Sequence, residues 1–322
     1  MRDIRIAAAQ FEHKNADKAY NLGRVRELAK QAVEQGAEVV SFHECCISAY
    51  SFVQSFSKDQ LLDLAEPVPD GPSTRELIGI SRECGVPILA GLFERAKDSG
   101  GTEQVYNTYV CVNENGPIAK HRKIHAFVNP HLKSGDAYTV FDLLGTKCGI
   151  LICYDNNLIE NVRATTLLGA EIIFMPHVTG CLPSVMPGRG TVDPLLWQRR
   201  EEDPVRLRQE FEGPKGRGWL MRWLPARAYD NGIYAVFTNP IGDDDGEIRN
   251  GNAMILDPYG EVISECHRLG DDVTVALCTA EKIANSSGRR YLRARRVDLY
   301  GPLLEPPAEP PVTEPGWKLR HE

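Results

Sequence analysis

The sequence predicts a layered α/β fold in one large domain, and three observations carry that reading. Short, continuously apolar runs recur along the 322 residues, as buried strands require. They alternate with stretches of helical period, the pattern of sheets covered by helices. No linker or internal repeat divides residues 1–300, and a Pro-rich arm follows at 301–322.

Ile4 to Ala9 reads as a buried strand. Asn15 to Gln35 carries Ala19, Leu22, Val25, Leu28, Ala29 and Ala32 at threes and fours, a helix that Gly36 closes as a C-cap would. Glu38 to Phe42 is a second strand, running into His43 and Glu44. Pro72 to Cys84 is a helix, opened by Ser73 or Thr74 and closed by Gly85. Val86 to Phe93 and Val105 to Val112 are strands. Cys148 to Tyr154 is a continuous apolar strand leading into a helix from Leu158 to Leu168. Glu171 to Met175 and Ile233 to Thr238 are further strands. Ala253 to Leu256, a turn from Asp257 to Gly260, and Glu261 to Ser264 form a hairpin. Thr179 to Gly218 is rich in Pro, Gly and charge and shows no strand, so it reads as an insertion. Pro302 to Pro315 predicts an extended, polyproline-like arm.

Composition narrows the function. Lys and Arg number 37 against 44 Asp and Glu, a net charge of −7, which argues against nucleic acid or an anionic membrane as partner. The basic clusters at Arg199-Arg200 and from Arg289 to Arg296 are interleaved with acidic or apolar residues and read as solvated faces. No stretch approaches the ~18–20 apolar residues of a membrane span. Asp3 and the short apolar run from Ile6 to Ala9 do not make a secretory signal. The nine cysteines are scattered and odd in number, with no CxxC pair. They predict reduced thiols in a cytoplasmic protein and no metal site.

Three residues could do chemistry. Cys153 ends an apolar strand just before a helix, where helix N-terminal charge lowers a thiol's pKa. Position alone does not separate it from a buried core cysteine. Glu44 stands at a strand end, where open α/β sheets keep their sites. A strand-end ion pair would look the same. Lys123 lies in the basic run Lys120 to His125, and the run itself gives no reason to prefer it over Lys120 or Arg122.

Order and flanking motifs join the three. His43 to Cys46 (HECC), His121 to His125 (HRKIH) and Gly149 to Asp155 (GILICYD) resemble the three signature segments of the nitrilase, or carbon–nitrogen hydrolase, superfamily. Ala7 to Phe11 is similar to the family's first strand. Glu160 and Arg163 follow Cys153 at the family's spacing, and Pro176 follows the next strand. Ala226 to Gly242 and Gly251 to Val262 resemble two later motifs, and Arg296 to Tyr300 resembles a C-terminal strand. The likeness spans residues 4–300.

The resemblance implies a four-layer α-β-β-α sandwich. It implies Cys153 as nucleophile, Glu44 as base and Lys123, with the Tyr154 N–H, as oxyanion stabiliser, with no cofactor. Tyr154, His131, His177 and Asn157 are the candidate substrate-binding residues. The implied substrate is a small-molecule amide or N-carbamoyl compound, because Tyr154-Asp155 looks like the amidase and carbamoylase branches. A nitrile is the alternative, and a non-catalytic binding member of the fold is a third reading. A homodimer or larger homo-oligomer is implied, with the Pro-rich arm crossing onto a neighbour. Two departures stand out. Ile124 to Cys153 lacks the second glutamate many members carry, leaving Asp136, Asp142 and His131 as candidates. The insertion offers Arg189, Trp197, Arg199 and Arg200 as a lid over an acidic or aromatic substrate.

Overall fold

Alternation within the first strand, β1 (Ile4–Gln10), builds two core layers at once. Ile4, Ile6 and Ala8 enter one apolar cluster, while Ala7 and Ala9 enter another on the opposite face. Both faces are covered from Ile6 onward, and the strand reads as an apolar run broken only by the exposed Arg5.

The computed structural model describes residues 1–306. The strands after β1 are β2 (Val39–Ser41), β3 (Ile88–Lys97), β4 (Glu103–Asn113), β5 (Gly116–Arg122), β6 (Thr139–Leu143) and β7 (Thr146–Ile150). Then come β8 (Ile172–Pro176), β9 (Tyr234–Thr238), β10 (Ile241–Asp244), β11 (Glu247–Asn250), β12 (Met254–Leu256), β13 (Val262–Glu265) and β14 (Asp272–Cys278). The helices are α1 (Lys18–Glu34), α2 (Lys58–Leu64), α3 (Pro72–Cys84), α4 (Ile159–Leu167) and α5 (Pro194–Gln198). They continue with α6 (Pro204–Glu212), α7 (Arg217–Leu220), α8 (Leu224–Asn231), α9 (Ala280–Asn285) and α10 (Ser287–Arg293).

Two six-stranded sheets result, in the orders β14-β1-β2-β3-β4-β5 and β13-β12-β9-β8-β7-β6. Their facing sides share one core, which joins Ile6, Val39, Leu89 and Tyr109 to Ile150, Ile172, Phe174 and Val236. Leu22, Val25, Leu28 and Ala29 of α1 and Leu77 and Ile80 of α3 cover the outer face of the first sheet. Val162 of α4 and Leu224 and Ala228 of α8 cover the second. Helix, sheet, sheet and helix are the four predicted layers.

Several local features differ from the sequence reading. The apolar run from Cys148 stops being strand at Ile150, and Cys153 opens a short 3₁₀ turn (Cys153–Asn156) ahead of α4. The backbone forces the break, since Cys153 has φ +50°, which no strand can accommodate. Gly71, not Ser73 or Thr74, is the cap residue of α3. Val297–Leu299 is a 3₁₀ turn rather than a C-terminal strand. Arg296 and Asp298 there pair with each other at 2.6 Å on the surface, and β14 takes the edge position beside β1. Gly301–Leu303 is also a 3₁₀ turn, and the rest of the Pro-rich arm, from residue 307, lies outside the described residues.

The insertion contains α5, α6 and the start of α7. It has its own small core of Cys181, Val192, Trp197, Leu207 and Phe211, resting on Ile241 of β10 and Ile248 of β11. Among the described residues no helix is long and apolar enough to cross a membrane.

Gly91 on β3 lets the turn after β2 approach closely. A Cβ there would lie 2.3 Å from the Cys45 nitrogen, against backbone that cannot yield. Gly91→Ala is expected to cost about 1–3 kcal/mol by overpacking. Gly79→Ala in α3, where an added Cβ meets open space, is expected to gain about 0.5–1 kcal/mol. Urea denaturation of the two variants beside the wild type measures both.

Candidate active site

Parallel pairing at the sheet centres gathers the candidate residues. β1, β2 and β3 run parallel, as do β7, β8 and β9. Glu44 follows β2, Lys123 follows β5, Cys153 follows β7, and Val178 follows β8. Chain direction thus brings four strand ends to one edge of the sandwich.

Glu44 is completely buried and both of its oxygens are engaged. Oε1 accepts from Lys123 Nζ at 2.7 Å and from Asn107 Nδ2 at 2.6 Å. Oε2 accepts the Val178 N–H at 3.0 Å. The Lys123 ammonium also lies 3.5 Å from the Tyr50 hydroxyl and sits over the Phe127 ring at 4.8 Å. Burial alone would lower its pKa. The negative charge that Cys153, Glu44, Tyr50 and Asp155 can carry outweighs that, and the amine is held well above the ordinary lysine value.

Cys153 is only 6% exposed, and its Sγ points at the Val178 carbonyl, 3.9 Å away. Its left-handed φ is a conformation a non-glycine residue adopts under constraint. The thiol is pushed up to about 12, first by burial and then by the Glu44 carboxylate, with Lys123 offsetting part of the rise. This reverses the expectation of a thiol lowered by a helix N-terminus. Only a short turn stands there, and desolvation of the thiolate dominates. The Glu44 carboxylate lies close enough to hydrogen-bond the thiol, which adds to the rise.

Asp155 clamps the turn. Its oxygens accept the N–H groups of Ile124 (3.1 Å), His125 (2.9 Å) and Ile152 (3.2 Å). His125 Nδ1 adds a contact at 2.9 Å. The segment bearing Lys123 is thereby tied to the one bearing Cys153. Asn156 assists, with Nδ2 donating to the Leu151 carbonyl at 2.7 Å and the Cys153 carbonyl at 3.3 Å.

The substrate-binding candidates divide. Tyr154 is 40% exposed, with its ring edge-on to His125 and Phe127. Its N–H has no protein partner among the described residues and remains available to a ligand. His177 is fully buried against Trp223 and Phe237. Its Nε2 lies 3.3 Å from Asn156 Nδ2. Burial, then the Lys123 charge, pushes its pKa well down, so it stays neutral and braces the turn from behind. Asn157 contributes a carbonyl to Arg227 Nη2 at 2.7 Å. The side-chain role falls to its neighbour Asn156. His131 is exposed and makes no contact with the three, while Asp142 pairs with Lys147 at 2.8 Å.

Trp197 of the insertion packs on Phe211, and its Nε1 donates to Glu12 at 2.8 Å. Arg200 covers the Trp197 ring. Arg189 stacks on Trp219, from which the rings of Trp223 and His177 lead back toward Asn156. Of the four proposed lid residues, Arg189 is therefore the one connected to the site.

Sequence reasoning missed Asn107, Tyr50 and the Val178 N–H. A polar side chain in the middle of an otherwise apolar strand was the available signal for Asn107.

An α/β sandwich that buries a glutamate, a lysine and a cysteine together at its strand ends has the architecture of an amidase-type enzyme. The chain belongs to the carbon–nitrogen hydrolase family, whose model matches residues 5–286. It is 27% identical over 316 residues to an omega-amidase of Xenopus tropicalis, covering 93% of this chain and 98% of that one. It is 28% identical over 309 residues to an (R)-stereoselective amidase of a Pseudomonas species, covering 94% and 96%. A nitrilase of Pyrococcus abyssi is 28% identical over 276 residues, covering 85% of this chain and 88% of that protein. The fold matches the crystal structure of an amidase from a Nesterenkonia species with TM-score 0.67 at 21% identity, covering 94% and 96%.

Asp155 is held well below the ordinary carboxylate range, its hydrogen bonds and the nearby histidines and Lys123 overcoming the cost of burial. A lowered folded value means stability fully present above the unfolded value of ~3.9 and lost as pH falls below it. Asp155→Asn turns an acceptor into a donor facing buried N–H groups and is expected to cost about 1–3 kcal/mol at pH 7. Thermal denaturation from pH 8 to 3 is expected to show a steady deficit down to pH ~4.5 that narrows below ~3.9.

Proposed function

We propose that this enzyme hydrolyses a linear carboxamide or an N-carbamoyl compound through a thioester on Cys153, releasing ammonia or an amine. The observation that carries the reading is the buried Glu44–Lys123 pair at 2.7 Å, set with Cys153 at converging strand ends. Structural cores have little use for an ion pair in this position, because its desolvation offsets most of its attraction. A thiol that must lose a proton next to a developing oxyanion does have a use for it.

The chemistry follows from the geometry. The Glu44 carboxylate takes the thiol proton as sulfur attacks the carbonyl carbon. Burial pushes the thiol up to about 12, which fits a thiol that gives up its proton to Glu44 as it attacks. The Lys123 ammonium and the free Tyr154 N–H receive the carbonyl oxygen as it becomes negative. Such donors contribute on the order of 10²–10³ in rate each. Glu44 then protonates the departing nitrogen. In the second half it takes a proton from water, which attacks the thioester and regenerates the thiol. Among the described residues the hydrogen-bond partners of the Glu44 side chain are Lys123, Asn107 and the Val178 N–H, and Glu44 is assigned the proton transfers of both halves.

The names of the relatives divide between amidase and nitrilase, and the Tyr154-Asp155 pair supports the amide. Assaying ammonia from paired amides and nitriles of the same skeleton tests it, and turnover of nitriles alone would sink the amide reading. Cys153→Ala and Glu44→Gln are each expected to lower kcat by at least ~10³-fold while the protein remains folded.

A cytoplasmic homodimer completes the proposal. Ile159 and Leu168, each 58% exposed at the two ends of α4, and the paired rings of Tyr229 and Tyr291 are an apolar surface that a second copy would cover. Light scattering is expected to give at least twice the 35.8 kDa chain mass. Ending the chain at Tyr300 tests whether the arm contributes.

A further inference from the structure

A buried ion pair outside the site, in which Arg249 also pairs with Glu247, reaches three of the segments that shape it. Arg249 of β11 and Asp244 of β10 are both almost wholly buried. Arg249 Nε donates to Asp244 Oδ2 at 2.9 Å, Nη2 donates to Ser51 Oγ at 2.8 Å, and Nη1 reaches the Gly180 carbonyl at 3.5 Å. Asp244 returns the connection to Ser51, accepting its N–H at 3.1 Å and its hydroxyl at 2.6 Å. Ser51 follows Tyr50, which touches Lys123. Gly180 follows Val178 and Thr179, the wall beside Cys153.

The third branch leads to Glu44. His13 Nε2 lies 3.0 Å from Asp244 Oδ1, and His13 Nδ1 lies 3.0 Å from His43 Nε2. His43 immediately precedes Glu44. An ionised Asp244 obliges His13 to carry a proton on Nε2, which fixes the orientation of that ring. The His43 ring is held between His13 and Phe11, with centroids 5.2 Å and 4.6 Å away. A buried charged network adds little net stability over apolar packing of the same volume, so what it can add here is orientation.

We propose that Asp244, oriented by Arg249, is a positioning residue for the reaction. Through His13 and His43 it sets the strand end bearing Glu44. Through Ser51 it sets Tyr50 against Lys123. Through Arg249 and Gly180 it sets the Val178 wall. The inference rests on the reading of Glu44 as base, and Glu44→Gln separates the two: if that variant keeps full activity, the reading of Glu44 fails first.

Asp244→Asn removes the charge at nearly constant volume, and His13→Phe cuts the branch to Glu44 beside the open cleft of Glu12, Lys14, Asn15 and Tyr20. Each is expected to lower kcat about 10²-fold with KM changed by less than about threefold, the effect of a small misplacement remote from the chemistry. Arg249→Lys keeps a cation beside Asp244 but cannot span to both Ser51 and Gly180, and is expected to lose about tenfold. Iodoacetamide alkylation assigned to Cys153 by peptide mass mapping, apart from the partly exposed Cys84, with thermal denaturation, counts folded sites in every sample. A kcat within about threefold of wild type in folded Asp244→Asn and His13→Phe overturns the proposal. So does a loss fully matched by missing alkylatable sites, or failure of both variants to fold, because the network would then be merely structural.

Discussion

The Glu44 carboxylate is where the two sheets meet. One oxygen is held by Lys123 and Asn107 of its own sheet, and the other takes the Val178 N–H from the opposite sheet. That side chain, with the Thr238 hydroxyl donating to the Phe42 carbonyl at 2.7 Å, helps set the separation of strand ends that share no hydrogen-bonded ladder. Such a bridge tolerates little movement, because each partner buried without its acceptor would cost about 1–3 kcal/mol. The close approach at Gly91, the Asp155 clamp and the left-handed Cys153 all serve that junction.

Burial gives the site a definite resting charge. A thiolate in this interior is disfavoured, so the cysteine waits as a thiol beside a carboxylate already committed to a lysine. In the proposed reaction, further negative charge develops on a substrate carbonyl oxygen near the ammonium. Low polarity raises the value of that preset charge while keeping the nucleophile quiet between turnovers.

The frame is legible in the sequence for a physical reason. Strands covered on both faces leave apolar runs, such as Ile6 to Ala9, and α1 leaves a stripe at threes and fours. β5 and β6 are hidden because their residues are partly exposed and charged, so Lys120 to Arg122 reads as a turn. Glu44, Lys123 and Cys153 are legible only together, since each alone resembles a core cysteine or an ion-pair partner. Their supports are barely legible, with Asn107 marked only as a polar residue in a mostly apolar strand. Nothing local in the sequence says that Asn107 faces Glu44 across the sheet or that Asp155 gathers N–H groups from two segments. The direction of the Cys153 shift was misread because a helix N-terminus can be seen in a sequence, whereas the burial of one sulfur depends on the whole sandwich.

The insertion acquires a different meaning once the wall residues are traced. Val178 gives its N–H to Glu44 and its carbonyl to Cys153, and the insertion begins one residue later. Its core rests on β10 and β11, the hairpin that carries Asp244 and Arg249. Force applied by a ligand to residues 179–218 therefore has two routes to the base, one along the backbone and one through the hairpin. Arg189, stacked on Trp219 with no carboxylate among its described contacts, stands at the outer end of the aromatic series Trp219, Trp223 and His177. A segment placed in this way does more than roof a pocket. It is joined to the backbone that holds Glu44 through Val178 and, through its own core, to the hairpin of Asp244 and Arg249.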